Sequence, residues 1–271
     1  MINFKLENID NINSFGSEGD QSMHWFALTN GEYWIEIQNV TLFEYTNEIR
    51  HYWGDTERYA SYQIFRFIMD FTALFPSITE SIPSDLFEKV KSAKLLGEIG
   101  NQMRIMASPD NEMAIEESYW WIRNRTLFSE YFTGAPEITF FRCNEKIKII
   151  WIANQVVDNR IPIWTAQTGE AEMDFEDFIV KIEDFGKKFL IEMEKQVNSA
   201  LERDWGDIII DKTKLKECQI EMVGNFDYWI KILRQGVLYQ KLRDSGAFPE
   251  TNWQRVRESI DKLNNNSPNN G

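Results

Sequence analysis

The chain has 271 residues, of which 43% are hydrophobic and 27% charged; its 19 phenylalanines, 10 tryptophans and 9 tyrosines are enough to fill one large core or two modest ones. A formal net charge of −14 argues against nucleic acid and anionic membranes as partners. No apolar run reaches the roughly 18 residues of a spanning helix, and the opening "MINFKLENIDNINSFGSEGD" lacks the basic and apolar regions of a secretory signal, so the expectation is a cytoplasmic globular protein.

The charge is unevenly spread. Residues 1–60 hold 10 acids against 3 bases, and residues 170–204 hold 11 against 5, so these two segments carry nearly all of the excess. Such a field either keeps a protein soluble or draws in a basic partner.

In chain order, "INFKLENI" reads as a strand, and "HWFALTNGEYWIEI", residues 24–37, as a β-hairpin turning on Asn30-Gly31, the pair that most readily takes two positive φ angles. Alternation along the second arm sends Tyr33, Ile35 and Ile37 to one face and Glu32, Trp34 and Glu36 to the other. "VTLFEYT", residues 40–46, extends the meander after a Gln38-Asn39 turn. From Tyr59 to Phe75 the apolar spacing becomes helical, with Pro76 as the stop. A second helix begins after Pro83 and Ser84, and residues 111–132 read as a third, broken near its middle.

Strands return with "EITFFRC" and "KIKIIWIA" around Asn144-Glu145, with "IPIWTAQTG" as the expected third strand. The longest amphipathic pattern follows at residues 174–204, where Phe175, Phe178, Ile182, Phe185, Phe189 and Met193 share one stripe behind Asp174 as N-cap. The remainder reads as helical, with Gly246 as a C-cap and residues 264–271, "NNNSPNNG", as a disordered tail. Without a regular βαβ alternation, the pattern predicts a single α+β domain over residues 1–263. In it, antiparallel strands from the two hairpin regions, as one sheet or as two, pack against the helices, and the C-terminal third is helical.

The chain carries no phosphate-binding glycine loop, no nucleophile elbow and no zinc or calcium motif, so neither a cofactor nor a metal is expected. Cys143 and Cys218 have no metal-type spacing and read as reduced. The two histidines, His24 and His51, both lie beside aromatics; as metal ligands they would need help from Asp55 or Glu57, and as packed or rim residues they need none. Arg123 and Arg125 in "YWWIRNR", with Arg142 on the following hairpin, could clamp an anion against tryptophan faces or neutralise carboxylates within the protein.

The ordered set "HWFALTNGEYWIEIQNVTLFEYT", "YQIFRFIMDF", "WIRNRTLFSEYFTGAPEITFFRCNEKIKIIW" and "IPIWTAQTGEAEMDFEDFIVKIEDFGKKFLIEM", over roughly residues 20–205, resembles a bacterial family of unknown function. Its motifs are a Trp-Phe-x-Leu-Thr-x-Gly-x-Tyr-Trp hairpin, a Trp-x-x-x-Arg segment, an aromatic strand pair and a late amphipathic helix. The resemblance implies a scaffold and brings no catalytic residues.

Two functions fit this reading. In the first, the protein binds a basic protein effector as an immunity or antitoxin-type inhibitor, with Glu32, Trp34 and Glu36 as contact residues. In the second, His51 or Asp55 joins Arg123, Arg125 or Arg142 around an anionic ligand in a pocket between sheet and helices, as an enzyme or a small-molecule-binding protein.

Overall fold

The computed structural model describes residues 1–17, 20–54, 56–106, 112–234 and 251–266. Strand β1 (Ile2–Leu6) is followed by the two-residue β2 (Ser22–Met23), and then by β3 (Asn30–Ile37), which pairs antiparallel with β1 so that Phe4 lies opposite Tyr33 and Lys5 opposite Glu32. The other edge of β3 carries β4 (Val40–Leu42) along one half and, after helix α1 (Asn47–Tyr52), β5 (Ala60–Gln63) along the other.

Asn30-Gly31 is not a hairpin turn. Ala27–Thr29 form one buried 3-10 turn, and Asn30 and Gly31 open β3 itself. The glycine serves close approach: a Cβ at Gly31 would stand 2.3 Å from the carbonyl oxygen of Lys5 and 2.9 Å from Cα of Leu6, so β1 could not pair there. His24 is therefore no strand residue; its Nδ1 accepts the N–H of Ala27 and its ring lies 4.7 Å from Phe15. The true turn of this region is Gln38-Asn39, with Gln38 at φ +52°.

The helix expected from Tyr59 starts later, because Ala60–Gln63 are taken up as strand β5. Helix α2 (Ile64–Thr72) turns into the short α3 (Phe75–Ile78). Pro76 lies in the first turn of α3, where its missing N–H costs nothing, so it starts a helix instead of ending one. Helices α4 (Ser84–Val90), α5 (Ala93–Met106) and α6 (Glu112–Arg123) follow.

The second sheet holds β6 (Thr126–Leu127), β7 (Glu137–Cys143), β8 (Lys146–Ile152) and β11 (Gly169–Asp174) in the order β11-β8-β7-β6, while β9 (Val156–Val157) and β10 (Ile161–Pro162) form a small separate ribbon. The expected third strand, "IPIWTAQTG", thus gives way to "GEAEMD". Ala171 and Met173 turn inward there, and Lys148–Glu170 at 2.9 Å and Lys146–Asp174 at 2.8 Å form a cross-strand charge ladder on the other face. Asp174 stands at the N-cap of α7 (Phe175–Glu202), yet its side chain makes no capping bond.

Helix α7 is the shared wall. Phe4 of the first sheet meets Phe185 and Phe189 at 5.8 and 5.6 Å between ring centres, and Phe140 of the second meets Phe178 at 5.9 Å. Phe67 and Phe71 of α2 fill the space between. A second apolar cluster lies on the far side of the second sheet, where Phe141 and Ile150 pack with Leu86, Trp121, Ile260 and others from α4, α6 and the last helix α9 (Trp253–Asn266). Strand β12 (Ile209–Ile210) runs parallel to β2, and α8 (Lys212–Arg234) packs on α7 where Gly186 admits the Phe226 ring.

The fold is α+β with the two strand regions in separate antiparallel sheets. Residues 264–266 of the expected tail continue α9, and Gly246, Asp55 and residues 267–271 lie outside the described residues.

Candidate functional site: an acidic aromatic face and an arginine-lined cleft

The outward side of the first sheet is set by strand alternation. Tyr33, Ile35 and Ile37 are buried, and Glu32, Trp34 and Glu36 project the other way, with Lys5 and Ser61 from flanking strands beside Glu32. Lys5, Glu36 and Ser61 are exposed, so solvent reaches this face. Trp34 is held in place: its ring stacks on Tyr59 at 4.1 Å and 13°, and its indole N–H donates to Glu36 Oε1 at 3.1 Å. Glu32 accepts the N–H of Tyr59 at 3.4 Å and lies 3.7 Å from Lys5 Nζ. Arg58 covers the Tyr59 ring at 5.1 Å while pairing with Glu44 at 2.6 Å, which makes this an ordered mixed-charge rim around a planar aromatic stack. The sequence pointed to the three β3 residues; Tyr59 and Arg58, brought in by β5, carried no signal there.

The two acid-rich segments adjoin. Helix α7 lies along β1 and the turn after it, where Gln196 donates to the Glu7 carbonyl at 2.9 Å and Arg203 pairs with Asp10.

The arginines singled out in the sequence do not converge. Arg125 is 1% exposed and forms a 2.8 Å ion pair with Glu80, donates to the Trp121 carbonyl and lies 5.4 Å from the Trp253 ring centre. Glu80 also receives the Thr251 hydroxyl at 2.6 Å, so this buried pair fastens the segment leading into α9. Arg142 gives its fork to the carbonyls of Thr79 and Asn144 and rests 4.3 Å over Phe175. His51 is exposed in the last turn of α1, and neither it, Arg125 nor Arg142 lines the two clefts that meet at Phe128.

Arg123 does line one of them. It is exposed, 5.7 Å over the Trp120 ring and 5.9 Å over Phe128. The cleft beside it, of about 860 Å³, lies between α5, the end of α6 and the end of the second sheet where β7 begins and β8 finishes. Apolar side chains such as Leu96, Ile99, Met103, Ile122 and Phe128 line it, together with Lys94, Arg104, Glu98 and Glu137. Burial raises the Glu137 carboxyl above its ordinary range and the Tyr119 phenol likewise. A smaller cleft of about 600 Å³ lies across Phe128, around Tyr62, Tyr131 and the Arg66–Asp70 pair, where burial outweighs Arg66 and raises Asp70.

Among the described residues no cluster of three or more His, Cys, Asp and Glu could hold a metal, and no helix is long and apolar enough to cross a membrane.

Residues 1–259 match the Family of unknown function (DUF5984). The chain belongs to that family. No curated protein and no solved structure matches it. The match reaches beyond the segment whose motifs carried the resemblance and takes in β12, α8 and the first part of α9.

Proposed function

We propose that this member of the family is an acidic binding protein of the cytoplasm that inhibits a basic protein effector, in the manner of an immunity protein or antitoxin, by presenting the outer face of its first sheet. The observation that carries the reading is the fixed Trp34–Tyr59 stack, bordered by Glu32 and Glu36 on a solvent-facing sheet. A tryptophan already locked by stacking and a hydrogen bond loses little freedom on binding, so more of its contact energy remains as affinity. The net charge of −14, concentrated in two segments that adjoin along β1 and α7, supports long-range attraction to a basic surface.

The test is co-expression with basic effectors encoded beside the gene, followed by binding kinetics on any pair in which toxicity is neutralised. Trp34→Ala is expected to cost about 2 kcal/mol or more of affinity, and Glu36→Gln to act chiefly on the association rate. Raising salt until the Debye length falls below about 8 Å should slow association. Neutralisation of no effector, or an interface indifferent to both Trp34 and salt, would remove the inhibitor reading.

A further inference from the structure

The cleft between α5 and α6 departs from the electrostatics of the rest of the protein. In a chain with this acidic excess, an arginine without a carboxylate is the exception. Seven of the arginines among the described residues sit in ion pairs with Asp or Glu. Arg50 and Arg142 donate to backbone carbonyls. Of the three left, Arg104, Arg123 and Arg160, the first two line the same cleft; among the described residues Arg104 reaches the Asn101 side-chain oxygen and Arg123 lies on aromatic faces.

The cleft is also kept open from the helix side. Gly97 and Gly100 of α5 line it, and a Cβ at either would meet nothing within 4 Å. Neither glycine has a positive φ, and each costs a helix interior roughly 1 kcal/mol relative to alanine without serving any contact in the protein. What they leave is room along the α5 backbone in a cleft that Ile122 and Phe128 also line.

We propose that this cleft is a binding site for an organic acid carrying a single carboxylate on an apolar body, with Arg123 receiving the carboxylate and the Leu96, Ile99, Met103 and Ile122 side chains receiving the body. About 860 Å³ falls within the roughly 300–1,000 Å³ of small-molecule sites. The charge selects the valence: Lys94, Arg104 and Arg123 face Glu98 and Glu137, an excess of one positive charge that suits one carboxylate and opposes a polyphosphate. A guanidinium lying on Trp120 and Phe128 still presents its N–H edge, the geometry in which arginine stacks and donates together. This site is separate from the Trp34 face and stands or falls independently of the inhibitor reading.

The test uses the full chain and titration calorimetry with dodecanoate below its micelle threshold, naphthoate as a second acid, and dodecanol and ATP as comparison ligands. Expected are saturable binding of at least one acid, dodecanol weaker than dodecanoate by about tenfold or more, and no binding of ATP at this site. Arg123→Gln should weaken the acid by about tenfold, the scale of one charge-assisted hydrogen bond. Gly97→Leu should abolish binding by filling the cleft. The Tm of Gly97→Leu, equal to or above that of the wild type, is the folding control, and Gly224→Ala on α8, where a Cβ likewise meets nothing within 4 Å and which does not line the cleft, should bind as the wild type does. Failure of both acids to bind, equal affinity for dodecanol, or dodecanoate binding unchanged in both Arg123→Gln and Gly97→Leu would each overturn the proposal.

Discussion

The two sheets lean on the same helix, α7, and differ in what lies behind them. The first has one buried face and one wet one, and β3 reads accordingly, buried Tyr33, Ile35 and Ile37 alternating with Glu32, Trp34 and Glu36. The second is covered on both sides over its central strands, with Phe140 and Ile149 in the main core and Phe141 and Ile150 in the cluster beneath α4, α6 and α9. Its central strands are near-continuous apolar runs, as strands buried on both faces tend to be. A one-sided sheet can offer a surface; a two-sided sheet can offer only the gaps between the helices that cover it. The molecule has a candidate of each kind, the Trp34 face and the arginine-lined cleft.

The covered side should be far more sensitive than the open one. Arg125→Ala would leave the Glu80 carboxylate buried without the Arg125 guanidinium, at an expected cost of about 3–5 kcal/mol in urea unfolding. The double change Glu80→Gln with Arg125→Met should recover most of that loss, because it removes both charges. Phe141→Ala belongs to the same scale, about 3–5 kcal/mol for a phenyl ring 0% exposed. Thr41→Ala, on the outer face of the first sheet opposite Glu36, should stay within about ±0.5 kcal/mol. Equal losses at Phe141 and Thr41 would erase the distinction between the sheets.

Much of this contrast was legible in the sequence, and what was missed has physical causes. The α7 stripe and the β7–β8 hairpin were readable because a buried face leaves a period that short-range competition does not mask; Asn144 takes its turn at φ +55° as its position between the arms suggests. Asn30-Gly31 misled because a dipeptide preference is local, whereas the need for glycine arose from β1, more than twenty residues away in sequence. The third strand, Gly169–Asp174, hid behind its acids, whose partners Lys146 and Lys148 sit on β8. Helix α5 was not distinguished from the helix expected after Ser84; its two glycines weaken the helical signal, and those same glycines open the cleft. Alternation found Glu32, Trp34 and Glu36. No local pattern could join Arg104 to Arg123, since the cleft exists only where α5, α6 and the second sheet meet.

Intermediate effects should sharpen the picture of the first sheet. Gly31→Ala must push β1 away from β3 or distort both, and a cost of about 1–3 kcal/mol is expected, the range for overpacking. Amide exchange should report it as faster exchange confined to β1 and the start of β3; uniform loss of protection would mean that the contact is not local. Tyr59→Ala removes the ring under Trp34 and should cost about 0.5–1.5 kcal/mol beyond its lost area. It should also loosen the indole, read as a shift and broadening of the Trp34 side-chain N–H resonance.

The smallest expected effect lies at the rim of the covered side, where Arg257 of α9 forms a two-pronged pair with Asp85 of α4, both contacts at 2.7 Å. The hydrogen bonds from Arg257 hold the Asp85 carboxyl at about 2, below its ordinary 3.8. Because the folded value is the lower one, the pair's contribution is present above the unfolded value and disappears as pH falls from about 4 toward about 2. Both partners reach solvent, so the contribution is modest and screened by salt. Melting the wild type and Asp85→Asn side by side from about pH 6 down to about pH 3 should show a small gap in Tm that narrows at the acid end. Added salt should narrow the same gap at pH 6. A gap of constant width across that range would mean that the charge of Asp85, and with it the pairing to Arg257, contributes nothing, and would leave the fastening of α9 to the Glu80 contacts and the apolar packing of Val256, Ile260 and Leu263.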